Sequence, residues 1–117
     1  MAAKLPRRSV CPVACALDIV GDRWTLLVVR DLFCGKSQFK EFRASPEGIA
    51  SNILSDRLAK LERHGLVERV PLPAIGKDAY QLTQRGRSLE PLLEQITAWG
   101  LAQVKGTRAL MRERAET

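Results

Sequence analysis

Apolar residues along this chain keep a helical rhythm for its first half, switch to alternation, and then return to the helical rhythm. From Pro12 to Val20, the apolar residues Val13, Ala16, Leu17 and Val20 fall three and four apart, the spacing of one helix face. Pro12 suits a first helical turn and Gly21 ends the run. Asp22 then offers a carboxylate to cap a second helix over residues 23–33, with Trp24, Leu27, Val28, Leu32 and Phe33 as its buried stripe. Gly35 terminates that helix. Ser37 stands as the cap of a short helix over residues 38–44, in which Phe39 and Phe42 lie three apart and face inward together. Ser45-Pro46-Glu47-Gly48 is a turn signal. A helix over residues 50–63 follows, apolar at Ile53, Leu54, Leu58 and Leu61 and polar at Asn52, Ser55, Asp56, Arg57, Lys60 and Arg63. Gly65 is its natural stop.

Beyond Gly65 the sequence becomes β-prone. Leu66-Val67-Glu68-Arg69-Val70 predicts one strand, and Tyr80-Gln81-Leu82 predicts the returning one. Residues 71–78 (PLPAIGKD) read as the loop between them, with Lys77 at a charged tip, because prolines lack the donor a central strand needs. Thr83 caps a last helix from Gln84 to beyond Val104, with Leu89, Leu92, Leu93, Ile96 and Trp99 on one side. Pro91 leaves two readings of that helix open: a bent rod, or a separate first piece. The fold class is mainly α with a small β-hairpin wing, a winged helix-turn-helix. Residues 1–10 form a basic N-terminal arm, 11–110 the domain and 111–117 a frayed tail.

Charge adds a partner to this picture. The 117 residues suffice for one small domain, and 19 lysines and arginines against 13 acids give a formal net charge of +6. Such a surface favours polyanions, of which nucleic acid is the commonest. No run of about 18 apolar residues exists to span a membrane, and no signal-peptide core follows Lys4, Arg7 and Arg8, so a cytoplasmic protein is expected. Three cysteines, an odd count, fit a reducing compartment. Cys11 and Cys15 lack zinc-knuckle spacing and His64 is the sole histidine, so no metal is expected. Paired carboxylates, metal clusters and glycine-rich phosphate loops at workable spacing are missing from the sequence, which argues against an enzyme and calls for no cofactor.

Two short helices joined by a tight turn can hold one of them away from the body, and the DNA major groove, about 12 Å wide, admits such a helix. Here residues 38–44 support and residues 50–63 read, so the expected partner is double-stranded DNA. Ser51, Asn52 and Ser55 are expected at base edges, with Arg57 reading a base or holding a phosphate. Lys36 and Arg43 are expected at the DNA backbone, and Arg69 and Lys77 at phosphates or the minor groove. Each has a plainer reading. Asn52 and Ser55 suit any solvated helix face, Arg57 suits an acidic neighbour on the protein surface, and the whole domain suits protein interaction without sequence-specific DNA binding.

Three segments, CPVACALDIVGDRWTLLVVRDLFCGKSQFKEF, GIASNILSDRLAKLERHGLVER and YQLTQRGRSLEPLLEQITAWG, together resemble the HxlR-type winged helix-turn-helix transcriptional regulators of bacteria, within the MarR-like superfamily. The likeness runs from about Cys11 to Gly100. It implies a homodimeric repressor on a palindromic operator, with the terminal helices forming the dimer contact through Leu17, Leu89, Leu92, Leu93, Ile96 and Trp99. It also implies two reading helices placed one DNA turn apart. Some members sense electrophiles or oxidants through a cysteine just before the first helix. Cys11 stands at that place, where a helix start favours thiolate. Cys15 or Cys34 serves as a resolving partner only within about 7 Å between Cα atoms. A small aromatic effector would occupy a cavity between the first, second and last helices. The chain departs from the family pattern in three places. Ala50 replaces the usual Ser or Thr, losing a cap worth about 1 kcal/mol unless Ser51 takes over. The wing tip reads PAIGKDAY, and Gly21-Asp22-Arg23 replaces Gly-Gly-Lys before the tryptophan.

Overall fold

Pro12 opens α1 (Pro12–Val20) in the computed structural model, which describes residues 8–109. Its missing N–H is one that a first turn leaves unpaired anyway. The predicted arm up to residue 7 and the predicted tail lie outside the described residues. Gly21 closes α1, its N–H donating to Leu17 O at 2.8 Å, and sterics confine the position to glycine. Its φ is −83°, which any residue adopts, but a Cβ there would sit 2.3 Å from the Leu17 carbonyl oxygen. Asp22 caps the next helix as predicted, accepting from the N–H groups of Trp24 at 3.1 Å and Thr25 at 3.2 Å. The helix itself, α2 (Thr25–Phe33), starts two residues later than predicted because residues 22–24 are used up in the turn. Its deepest residues are Thr25, Val28 and Val29. Trp24, Leu32 and Phe33 pack half-buried against the same core.

The α3 helix (Phe39–Arg43) is capped from within. The Glu41 carboxylate reaches back and accepts from the N–H groups of Ser37 and Gln38, both at 2.9 Å, so Gln38 and not Ser37 is the boundary residue. Phe42 is fully buried and meets the Tyr80 ring edge-on, centroids 6.3 Å apart. Next, α4 (Ser51–Arg63) turns Leu54, Leu58 and Leu61 into the core, each contributing about 1.5–3 kcal/mol of burial. It ends in a Schellman motif: Leu66 N–H donates to Leu61 O at 2.9 Å and Gly65 N–H to Glu62 O at 3.0 Å. That geometry needs the positive φ of +71° at Gly65.

The hairpin is longer than predicted. Strand β1 (Val67–Leu72) pairs antiparallel with β2 (Lys77–Leu82), from Val67 opposite Leu82 to Leu72 opposite Lys77. Pro71 is tolerated because both strands of a two-stranded sheet are edges. A single 3-10 turn at Pro73–Ile75 closes the hairpin, so Lys77 opens β2 and does not occupy the tip. One backbone bond, Tyr80 N–H to Ser37 O at 2.8 Å, ties β2 to the segment before α3.

The two open readings of the last helix resolve into two pieces. Thr83 Oγ1 accepts from Gly86 N–H at 3.0 Å and caps α5 (Gln84–Arg87); Pro91 then lies in the first turn of α6 (Glu90–Gln103). Leu93 is buried with the core and Leu89 is half-buried against it. Of the predicted dimer-contact residues, these two are therefore engaged within their own chain. The others stay outside: Leu17 is 53% exposed, Leu92 39%, Ile96 47% and Trp99 66%.

Candidate nucleic-acid interface

One face of α4 is pinned to the core by three leucines, and this leaves the other face outward. Ser51, Asn52 and Ser55 are all exposed, with Ser55 three residues beyond Asn52 and four beyond Ser51 on that face. Ala50 gives no side-chain cap, and Ser51 does not take its place: its hydroxyl accepts from Arg43 Nη1. Arg43 Nε also donates to Ile49 O at 3.2 Å. This predicted backbone cation thus ties the end of α3 to the start of α4.

The turn between those helices is clamped from below. Asp31 on α2 is only 5% exposed. Its Oδ2 accepts from the Ser45 hydroxyl at 2.5 Å, and its Oδ1 accepts from Arg30 Nε and Nη2 at 3.1 and 2.9 Å. Arg30 also forks onto both oxygens of Glu47, each at 2.8 Å, the bidentate geometry that gives guanidinium–carboxylate pairs direction. That fork holds the Glu47 carboxyl below its usual range, against the cost of burial. Lys36 Nζ donates to Ser45 Oγ at 2.6 Å and lies 4.0 Å from Asp31. The structure therefore places Lys36 inside this network, which fixes the turn and with it the angle of α4.

Arg57 is similarly engaged. Its Nε meets Asp22 Oδ2 at 2.7 Å and its Nη1 meets Asp56. Lys60 Nζ lies 3.6 Å from the other oxygen of Asp22. Partial burial works against the Asp22 charge, but hydrogen bonds from Thr25, Arg57 and the Trp24 N–H outweigh it and hold the carboxyl well below the usual range. Sequence reasoning missed this role of Asp22, since the two partners are 35 residues apart and no local pattern joins them. On the wing, Arg69 pairs with Glu62 at 3.1 Å and Asp78 at 3.6 Å, its guanidinium 5.7 Å above the Tyr80 ring centroid. Lys77 is exposed. With Lys40, which the sequence reading also passed over, it borders a cleft of about 420 Å³ floored by Phe39 and Tyr80.

Cys11 is exposed at the start of α1, and the N–H groups of Ala14 and Val13 lower its thiol pKa. Cys15 lies one turn on, its Sγ 3.4 Å from Ser9 O, and Cys34 ends α2 half-buried. Cys11 stands outside the helix as its N-cap, with extended backbone, and its carbonyl oxygen accepts from the Cys15 N–H at 3.0 Å. A groove of about 320 Å³ lies between α2 and α6, walled by Leu26, Leu27, Ile96 and Leu101 with Arg30 and Glu47 at its edge. Among the described residues no group of three or more His, Cys, Asp or Glu is placed to hold a metal ion, and no helix is long and apolar enough to cross a membrane.

Known proteins share this arrangement. The HxlR-like helix-turn-helix family model matches residues 19–108. The HTH-type transcriptional regulator YybR of Bacillus subtilis (strain 168), itself uncharacterized, is 35% identical over 96 residues, covering 81% of this chain and 77% of that one. The solved structure of PA1607 aligns with a TM-score of 0.80 at 40% identity, covering 88% of this chain and 74% of that one. The redox regulator HypR in its oxidized form aligns with a TM-score of 0.72 at 35% identity, covering 86% of this chain and 100% of that one. With its clamped helix-turn-helix and two-stranded wing, the chain belongs to the HxlR-like family of winged helix-turn-helix transcriptional regulators.

Proposed function

We propose that this chain is a dimeric, cytoplasmic bacterial repressor that binds a palindromic operator through the helix over residues 50–63 and the wing over 66–82. The observation that carries the reading is the outward face of α4. Ser51, Asn52 and Ser55 are exposed on a helix whose opposite face is sealed by Leu54, Leu58 and Leu61. A polar helix head held rigidly outside a core is what base-edge reading in the major groove requires. The exposed apolar residues of α1 and α6, Leu17, Leu92, Ile96 and Trp99, support a second copy as the dimer partner. Control through Cys11 is supported by its exposure, its lowered pKa and the likeness to HypR. The groove between α2 and α6 suits a small aromatic effector in size and lining.

Selection of bound duplexes from a random pool, with reduced and with oxidised protein, tests the proposal. The expected result is a palindromic consensus, lost in Asn52→Ala at unchanged melting temperature and weakened on oxidation. A folded protein that prefers no duplex at low ionic strength would leave the chain as a winged-helix module for protein interaction. Wild-type binding after oxidation would remove the cysteine switch alone.

A further inference from the structure

We propose that Asp22 is a specificity-determining positioning residue for DNA reading: from the corner between α1 and α2, its carboxylate holds Arg57 and Lys60 of the reading helix and keeps both from free phosphate binding. The inference rests on α4 being the DNA-reading element. Three observations carry it. Arg57 Nε is 2.7 Å from Asp22 Oδ2 and Lys60 Nζ is 3.6 Å from Asp22 Oδ1, so one carboxylate engages two cations of the same helix. The same carboxylate accepts from the N–H groups of Trp24 and Thr25 and from the Thr25 hydroxyl, and this fixes its position on α2. Thr25 is in turn completely buried. The cations are therefore tied to a carboxylate that is anchored to the core.

Capping alone does not require this residue. Serine, threonine and asparagine cap a helix about as well as aspartate. Only a charged group gains from two cations arriving from a distant helix. Unheld, Arg57 and Lys60 would be two mobile cations on the reading helix. Each cation that binds a phosphate steepens the salt dependence of binding by about 0.9 and does so for any sequence. Phosphate contacts add affinity without sequence information. Asp22 thus trades sequence-independent affinity for discrimination.

The test uses Asp22→Asn and Asp22→Ser, each of which keeps a capping acceptor and removes the charge. Binding to the selected duplex and to a scrambled duplex is measured over a salt series, with a urea midpoint for each protein. The expected result is a salt slope steeper by about 1 to 2. The scrambled duplex gains more than the selected one, so the ratio between them shrinks about three- to tenfold. Adding Arg57→Gln to Asp22→Asn should return the slope by about one. Folded variants with wild-type slope and ratio would overturn the proposal. So would loss of folding in both Asp22 variants while Arg57→Gln folds normally, since that assigns Asp22 a structural role only. If the wild-type protein itself selects no duplex, the DNA-reading function falls and this inference with it. Wild-type selection with unchanged variants removes the role of Asp22 alone.

Discussion

Replacing Asp31 by asparagine perturbs the clamp under the turn with almost no change of shape. In the native protein Lys36 donates to Ser45 Oγ, and the Ser45 hydroxyl donates to Asp31 Oδ2 at 2.5 Å. An asparagine that still accepts from Arg30 through its oxygen turns its amide toward Ser45. The serine oxygen then faces two donors and its own proton has no acceptor in a buried site. A hydrogen bond to a charged group is worth about 1.5–3 kcal/mol, and a buried unpaired donor costs about 1–3 kcal/mol. Arg30 keeps its fork on Glu47, so its charge is not orphaned. The expected net loss is about 2–4 kcal/mol, out of a typical total near 5–15 kcal/mol. Urea unfolding at one fixed protein concentration should show the midpoint lowered by about 1–2 M at constant m. In a double-mutant cycle, Asp31→Asn and Ser45→Ala should couple by about 1 kcal/mol or more. A midpoint shift below about 0.3 M, or additive effects in the cycle, would show that the network does not hold the turn.

Three other outcomes are expected. Gly86→Ala should destabilise by about 1–3 kcal/mol in the same urea assay, because its Cβ would lie 2.0 Å from the backbone oxygen of Leu66; a neutral substitution would refute that contact. Asp22, Glu41 and Glu47 all have folded pKa values depressed below their unfolded ones. Their stabilisation is complete above the unfolded values near 4 and is lost as pH falls from there through the folded values, so urea midpoints should drop below about pH 5 and Asp22→Asn should flatten that drop. Cys11 should alkylate with iodoacetamide faster than Cys15 or Cys34, with the fast phase absent in Cys11→Ser by mass spectrometry; equal rates at all three would contradict the effect of the Ala14 and Val13 N–H groups.

Features written in local spacing were legible in the sequence. The Leu54, Leu58 and Leu61 face and the stop at Gly65 depend on neighbours within one or two turns, and both hold in the structure. The start of α2 is not legible, because Asp22 identifies a capping group without saying how many residues its turn consumes. The full length of the hairpin is hidden because proline excludes a central strand and says nothing about an edge. On α6 the sequence EPLLEQITAWGLAQ is apolar on more than one side, so spacing alone could not tell that Leu93 turns inward while Leu92 stays out. At the candidate interface, an exposed Asn52 follows from amphipathicity. The attachment of Arg57 to Asp22 and of Lys36 to Ser45 depends on tertiary neighbours that no linear pattern brings together.

The hairpin is fastened only at its root. Val67, Ala79 and Leu82 are buried there, and Tyr80 is bonded to Ser37 across the gap, while Pro73 to Gly76 are exposed at the turn. Its outer end can therefore be lengthened without the scaffold noticing, since doubling a flexible loop costs only about 0.6 kcal/mol. Extra residues grafted between Ala74 and Gly76 would lengthen the arm and leave the setting of α4 as it was; under the proposed DNA-reading role, that changes the reach of the wing alone. Reach and register are thus adjustable separately, which gives evolution or an engineer a way to change footprint size one step at a time.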